Sequence, residues 1–263
     1  MNPISSVLQN SIKLSGNSVP GALDRHSGIA GFDQQSYSRA KVVCIGAGGL
    51  IGNVAPVLVR KGVGALAILD HDEVEITNLN RQRFYPRDIG ENKAIALARN
   101  LLPECTFATR ITGFASSIQK AIGTGIDLQC SVAVCGVDNN AARIVTARYF
   151  RSKGIPVIFM GVSLKADHGY VFVQDKEGPC FGCLFPDAID DITQPCPGTP
   201  AMAEILQLVG SFGSYAIDSL ICDRPRDWQY REIWLNTTTC GGARKVTLRG
   251  NCPLHTTKHQ LLT

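Results

Sequence analysis

The chain is short of charge, of aromatic residues and of uninterrupted apolar stretches. Charged residues make up 18% and aromatic residues 7% of its 263 positions. Lys and Arg number 26 against 22 Asp and Glu, a formal net charge of +4, and they are scattered. No basic run, and no interleaving of basic with aromatic side chains, marks a nucleic-acid surface. The opening segment MNPISSVLQNSIKLSGNS lacks the apolar core of a signal peptide. The most apolar later stretch, Ile205 to Ile221, is interrupted by Gln207 and Asp218, so it reads as a buried helix and not as a bilayer span. Neither a nucleic acid nor a membrane is expected as a partner, and the cytoplasm is the expected location. No internal repeat is present.

Hydrophobic residues, at 44%, suffice for a sizeable core. Val42-Val43-Cys44-Ile45 is a short apolar run of the kind a parallel strand buried on both faces requires. Gly46-Ala47-Gly48-Gly49 follows, then a helical pattern from Leu50 to Lys61, then a second apolar run, Ala65 to Leu69, ending on Asp70. This is a strand, glycine turn, helix and strand of the doubly wound class. The alternation continues with a helix over 93–101, strands over 106–112 and 131–135, a helix over 140–153, and strands over 156–160 and 170–173. A long helix over 203–221 and late strands over 232–235 and 245–248 complete the reading. The expected fold is α/β, a doubly wound Rossmann-like, mostly parallel sheet with a zinc-stabilised C-terminal extension. Residues 1–38 read as a tail and lead-in helix, 39–165 as a nucleotide-binding domain, and 166–263 as a crossover segment, metal site and late strands packed on it.

Glycines at 46, 48 and 49 let the backbone turn tightly and approach a phosphate at a helix N-terminus. A full dinucleotide fingerprint places glycine at position 51, where this chain has Ile51, which is expected to push the helix outward. Asp70, at the end of the second strand, is placed to accept ribose hydroxyls. These features alone fit a dinucleotide oxidoreductase and an ATP-binding protein equally.

Ten cysteines are many for this length. Cys180 and Cys183 are separated by two residues, and so are Cys252 and His255; two such knuckles complete a tetrahedral zinc site. Cys240 and His259 are alternative fourth ligands. Cys44, Cys135 and Cys222 lie in apolar runs and read as core.

The segment Asp70-His71-Asp72-Glu73-Val74, then Asn78-Leu79-Asn80-Arg81-Gln82, then Asp88-Ile89-Gly90 and Lys93, separates the two nucleotide readings. With Gly62-Val63-Gly64 before it and Asp138-Asn139 and Arg143 after it, the chain resembles the MoeB/ThiF/HesA family and the adenylation domains of ubiquitin-activating enzymes. The resemblance runs from about residue 24 to 256. It implies an adenylyltransferase that uses ATP and Mg²⁺ to activate the C-terminal carboxylate of a ubiquitin-like or sulfur-carrier protein with a Gly-rich tail. It implies that Arg81 and Lys93 bind the triphosphate, that Asn78 orients it and that Asp138 holds Mg²⁺. Asp72 belongs to the same nucleotide-binding motif. Arg25 matches an arginine that reaches the neighbouring subunit's ATP, which, with the broad apolar face of the 203–221 helix, favours a homodimer. The family's second knuckle is CxxC where this chain has CxxH. Cys196, between Pro195 and Pro197, matches a loop cysteine that some members use for thioester formation or sulfur transfer. Adenylation of a peptide or tRNA-linked carboxylate, and a non-catalytic zinc-stabilised binding protein, are the alternatives. Within these 263 residues no rhodanese-like, ubiquitin-fold or large catalytic-cysteine domain is expected.

Overall fold

The computed structural model describes residues 10–189 and 201–255; Cys196 and His259 lie outside them. The strands are β1 (Ser11–Ser15), β2 (Lys41–Ile45), β3 (Ala65–Asp70), β4 (Arg110–Ala115), β5 (Val132–Cys135), β6 (Val157–Val162), β7 (His168–Gln174), β8 (Tyr230–Trp234) and β9 (Ala243–Arg244). The helices are α1 (Gln34–Arg39), α2 (Gly49–Arg60), α3 (Lys93–Asn100), α4 (Ile118–Gly123), α5 (Asn140–Ser152), α6 (Phe181–Leu184) and α7 (Ala203–Ile221). All the described strands join one sheet in the order β1-β4-β3-β2-β5-β6-β7-β8-β9.

Strands β2 to β6 are parallel, in the order β4-β3-β2-β5-β6. Side chains alternate across the pleat, so Val42 and Cys44 enter one core while Val43 and Ile45 enter the other. The first core holds α2, α3 and α7; the second holds α4, α5 and α6. The sheet is therefore doubly wound. The chain leaves β2 towards β3 and leaves β5 towards β6, so the order reverses between β2 and β5 and opens a crevice at their C-terminal ends.

The sheet is mixed, which corrects the expectation of a mostly parallel one. β1 pairs antiparallel with β4, and β7, β8 and β9 add antiparallel beyond β6. The short β6–β7 connection permits only a hairpin. β1 lies in residues read as a tail; its two apolar side chains, Ile12 and Leu14, pack on the first core. β4 runs beyond its expected end at residue 112 because Gly113 does not break it. A Cβ there would come within 2.5 Å of the Ala94 carbonyl oxygen, so the missing side chain lets α3 approach the sheet. The expected strand over 245–248 is absent. Val246 N–H donates instead to the Gln229 side chain at 3.0 Å, and the ladder stops at Arg244.

α7 crosses α2 and the sheet closely. A Cβ on Gly210 would meet Asn53 Cβ at 2.9 Å and one on Gly213 would meet Met160 Sδ at 2.5 Å. Both glycines therefore serve packing inside the chain. No described helix is long and apolar enough to cross a membrane.

Asp218 of α7 is 1% exposed and accepts from Lys61 Nζ at 2.7 Å and Arg224 at 3.1 Å. It ties α7 to the end of α2. Removing one partner of a buried ion pair leaves uncompensated charge and costs about 3 kcal/mol or more. Asp218→Ala is expected to lower Tm by roughly 10 °C. An unchanged melting curve would show that the pair contributes nothing.

Candidate active site

The crevice at the strand reversal is a cleft of about 930 Å³. Its wall starts at the turn after β2. Gly46 adopts φ +97°, a conformation costly for any other residue, and its N–H donates to the Leu69 carbonyl at 2.7 Å. Gly48 caps α2 without a side-chain hydrogen bond, so the first N–H groups of the helix remain turned to the cleft. Leu206 of α7 lies over the loop: a Cβ on Gly49 would come within 2.6 Å of it.

Ile51, which stands where glycine was expected, is fully buried. Space for it comes from the opposite strand, since a Cβ on Gly136 would sit 3.0 Å from Ile51 Cγ1. The close helix–strand approach is kept, with the glycine moved to the end of β5. Gly52 faces Arg83 and not the sheet.

Asp70 binds the loop together. Its carboxylate accepts from Ala47 N–H at 2.7 Å and from Asp72 N–H at 2.9 Å. Burial pushes this carboxyl above its usual value; the N–H groups and the Lys93 ammonium pull it back only in part. For stability the sign is that of a raised carboxyl: the folded form holds the proton more tightly. Its contribution is therefore greatest in acid and is lost as pH rises through the raised value. Acceptance of ribose hydroxyls, the role proposed below for Asp70, needs the ionised form. Nucleotide affinity is accordingly expected to fall on acidification from a higher pH than an ordinary carboxylate would give, and Asp70→Asn is expected to abolish that step. Titration of nucleotide binding against pH in both proteins checks this; the same acid limb in both would remove Asp70 from the site.

Asp72 accepts from Lys93 Nζ at 3.0 Å, and Lys93 N–H donates to the Asp72 carbonyl at 2.8 Å. Lys93 begins α3 and is only 13% exposed, so the pair fixes the ammonium at the cleft wall. Asn92, which the sequence reading passed over, organises this corner. Its Oδ1 caps α3 through Ala94 and Ile95, and its Nδ2 donates to the carbonyls of Asp70 and Asp72. The signal was available: asparagine directly before a helical pattern is a strong cap.

Asn78 is buried, and its Oδ1 accepts from Glu75 N–H at 3.0 Å. Arg81 donates to the Thr77 carbonyl at 2.7 Å and to Asn80 at 2.9 Å. Asn78 thus closes the turn that carries Arg81. Gln82, in the same turn, also lines the cleft, and its Oε1 is buried without a hydrogen-bond partner.

Gly46, Gly48, Gly49, Asp70, Asp72, Asn78, Arg81, Lys93 and Asp138 all line this one cleft. Arg143, Gly161 to Leu164 and Ala201 line it as well. Arg25 does not: it is exposed in the short 3-10 turn Asp24–His26. Cys44, Cys135 and Cys222 are buried as expected, and burial raises each thiol.

A second cluster lies beside the other core. The donor atoms of Cys180, Cys183, Cys252 and His255 are all within 4.8 Å of one another. The Cys180–Cys252 and Cys180–Cys183 sulfur separations are 3.5 and 3.9 Å, and Cys183 Sγ lies 3.3 Å from His255 Nε2. Zinc–sulfur bonds of about 2.3 Å give tetrahedral edges of about 3.8 Å. The donor set and spacing fit zinc. Arg249 N–H points to Cys183 Sγ at 3.4 Å, as a supporting shell does. Cys240 is exposed and outside the cluster.

The ThiF family model matches residues 23–230. The chain is 27% identical over 226 residues to the adenylyltransferase and sulfurtransferase MOCS3 of Dictyostelium discoideum, covering 85% of this chain and 52% of that protein. It is 31% identical over 186 residues to the sulfur carrier protein adenylyltransferase of Thermus thermophilus, covering 68% and 65%. The chain thus spans between about half and two thirds of these relatives' lengths. Among solved structures, E. coli MccB with ATP superposes with a TM-score of 0.70 at 18% identity, over 90% of this chain and 76% of that one, a likeness of fold. The glycine turn, the Asp70–Lys93 motif and the extent of the family match agree: the chain is a member of the ThiF family.

Proposed function

We propose that this protein adenylates the C-terminal carboxylate of a ubiquitin-like or sulfur-carrier protein with a Gly-rich tail, releasing pyrophosphate. The observation that carries the reading is the convergence of the glycine loop, Asp70, Arg81, Lys93 and Asp138 on one cleft. The names of the MOCS3 and sulfur carrier adenylyltransferase relatives support it.

In this reading the α2 N-terminus and its glycines receive phosphate oxygens, and Asp70 receives the ribose hydroxyls. The tail carboxylate attacks the α-phosphorus of ATP. A new P–O bond forms, the bond to the β-phosphate oxygen breaks, and acyl adenylate and pyrophosphate result. Both reactants are anionic, so Arg81 and Lys93 serve to screen them and stabilise charge on the departing phosphates. Asp72 and Asn78 are positioning residues, one holding Lys93 and the other the Arg81 turn. Asp138 supplies a carboxylate of the kind Mg²⁺ prefers, and the ion when bound neutralises phosphate charge.

Zinc on Cys180, Cys183, Cys252 and His255 has a structural part in the proposal. Arg25 acts on a neighbouring subunit's cleft in a homodimer, and the cytoplasm is the site of action. Cys196, five positions before cleft-lining Ala201, takes the activated carboxylate as a thioester or takes part in sulfur transfer. Cys196→Ala is expected to spare adenylation and abolish a reductant-sensitive adduct with the partner; an adduct that survives would remove Cys196 from the mechanism. The adenylation reading itself is tested by partner-dependent ATP–pyrophosphate exchange, whose absence with every Gly-Gly-tailed protein would reject it.

A further inference from the structure

Ile51 stands where a dinucleotide fingerprint has glycine, and it is fully buried in the first core with Val54 and Ala55 of the same helix. Its neighbours Gly49 and Leu50 line the cleft and Ile51 does not. Whatever Ile51 does for the cleft therefore passes through another residue.

That residue is Gly136. A Cβ there would lie 3.0 Å from Ile51 Cγ1 and 3.1 Å from Ile51 Cδ1. Gly136 is not among the glycines with positive φ, so its backbone admits alanine and only the bulk of Ile51 opposes one. Gly136 N–H donates to the Ile45 carbonyl at 3.0 Å. The end of β5 is thus tied to β2 by its backbone and packed on α2 by Ile51. Val137 meets the glycine turn: a Cβ on Gly46 would lie 3.2 Å from Val137 Cγ1. Asp138 follows, and then Asn139, whose Oδ1 accepts from Ala142 N–H at 2.8 Å and caps α5. Asp138 is therefore carried on a short span pinned at both ends.

The contact has a stiff side and a soft side. Ile51 is enclosed in the core, where dense packing resists displacement. Gly136 and Val137 are half-buried on the cleft wall, and Asp138 is exposed. Crowding or emptying the contact moves the span 136–138 and leaves α2 in place.

On the reading that Asp138 holds Mg²⁺, we propose that Ile51 is a positioning residue for Asp138. Its side chain, filling the space that Gly136 leaves, sets the separation between the glycine turn and the end of β5. That separation fixes where the Asp138 carboxylate stands relative to phosphates bound at the turn. The bulky residue in the glycine motif is then a working part of the site and not a flaw in it.

The test reads metal linkage and needs no partner protein. Binding of a non-hydrolysable ATP analogue to the full chain is measured with and without Mg²⁺, and the ratio of the two affinities is compared among variants. A defect of folding alone lowers both affinities and leaves their ratio in place. A Cβ at Gly136 requires its neighbours to give by a few tenths of an ångström. Set against a cost of roughly 10²-fold for a 1 Å misplacement, Gly136→Ala is expected to lower the ratio about three- to fivefold. Ile51→Ala removes the backing and is expected to lower it by a similar factor. The double variant returns a methyl group to the gap from the other side, and its ratio is expected to recover to within about twofold of wild type, as residues in contact are not additive. Ile51→Val, which deletes only Cδ1, takes the place of Ile51→Ala in the pair if the larger deletion does not fold. In an Asp138→Asn background Gly136→Ala is expected to leave the ratio unchanged. A wild-type ratio in both single variants, or a double variant no better than either, would overturn the pairing of Ile51 with Gly136. A fall that persists in the Asp138→Asn background would overturn the route through Asp138. Equal affinity with and without Mg²⁺ in the wild type would overturn the metal role of Asp138, and that of Ile51 with it, while partner-dependent exchange decides adenylation separately.

Discussion

Arg81→Ala and Asp138→Ala are each expected to lower ATP–pyrophosphate exchange by about 10²–10³-fold, the usual cost of removing one group that stabilises developing charge. The Arg81 guanidinium donates to the Thr77 carbonyl and to its neighbour Asn80, and both contacts are exposed. Its loss should therefore leave the melting temperature nearly unchanged. Asn78, which closes the turn, remains in place, and so does the Asp72–Lys93 pair. The loss is then one of transition-state stabilisation and should fall mainly on kcat. Measurement of exchange against partner and ATP concentration, with a melting curve for each variant, checks this. Near-normal exchange in both variants would mean that the residues line the cleft without taking part in the chemistry.

If the proposed zinc site is loaded, removing its ion has the second largest expected effect, and it falls on stability. The four donors join the start of α6 to the last described residues, and the same C-terminal segment places Val246, Cys252 and Leu254 in the second core. With the ion gone, the buried thiols lose their shared partner and this segment loses its anchor. Cys252→Ser, or exhaustive chelation, is expected to cost at least about 3 kcal/mol, the low end for loss of a structural link. That corresponds to a fall in Tm of roughly 10 °C. Metal analysis of the purified wild type should give about one zinc per chain. A metal-free chain with an unchanged melting curve would contradict the structural role. None of the four donors lines the cleft, so residual exchange below the lowered Tm is expected.

The parallel core was legible because its strands are short apolar runs between helical patterns. β2 and β3 begin and end within a residue of where Val42 to Ile45 and Ala65 to Asp70 placed them. The flanks were less legible, each for a local reason. β1 offers only Ile12 and Leu14 in a polar segment, too few to distinguish an edge strand from a tail. Gly113 in β4 looked like a breaker but is a point of close approach to α3. α4 rests on a single Ser117 cap, with Lys120 N–H donating to it at 3.2 Å.

In the candidate site the charged residues could be read because order and spacing constrain them together. What supports them was legible only in part. The cap that Asn92 gives α3 could be read, but its bonds to the Asp70 and Asp72 carbonyls, like those of Asp218 to Lys61, join residues far along the chain, and sequence spacing carries no trace of a long-range hydrogen bond. Ile51 shows the same limit from the other side. Its bulk looked disruptive until Gly136 was seen to provide the room.

The central claim is that the cleft activates a protein's terminal carboxylate. The most direct measurement is ATP–pyrophosphate exchange by the wild-type chain with a Gly-Gly-tailed partner and with the same partner lacking its last glycine. The account predicts exchange with the intact tail and none without the terminal glycine. Tight ATP binding with no exchange in either case would contradict it.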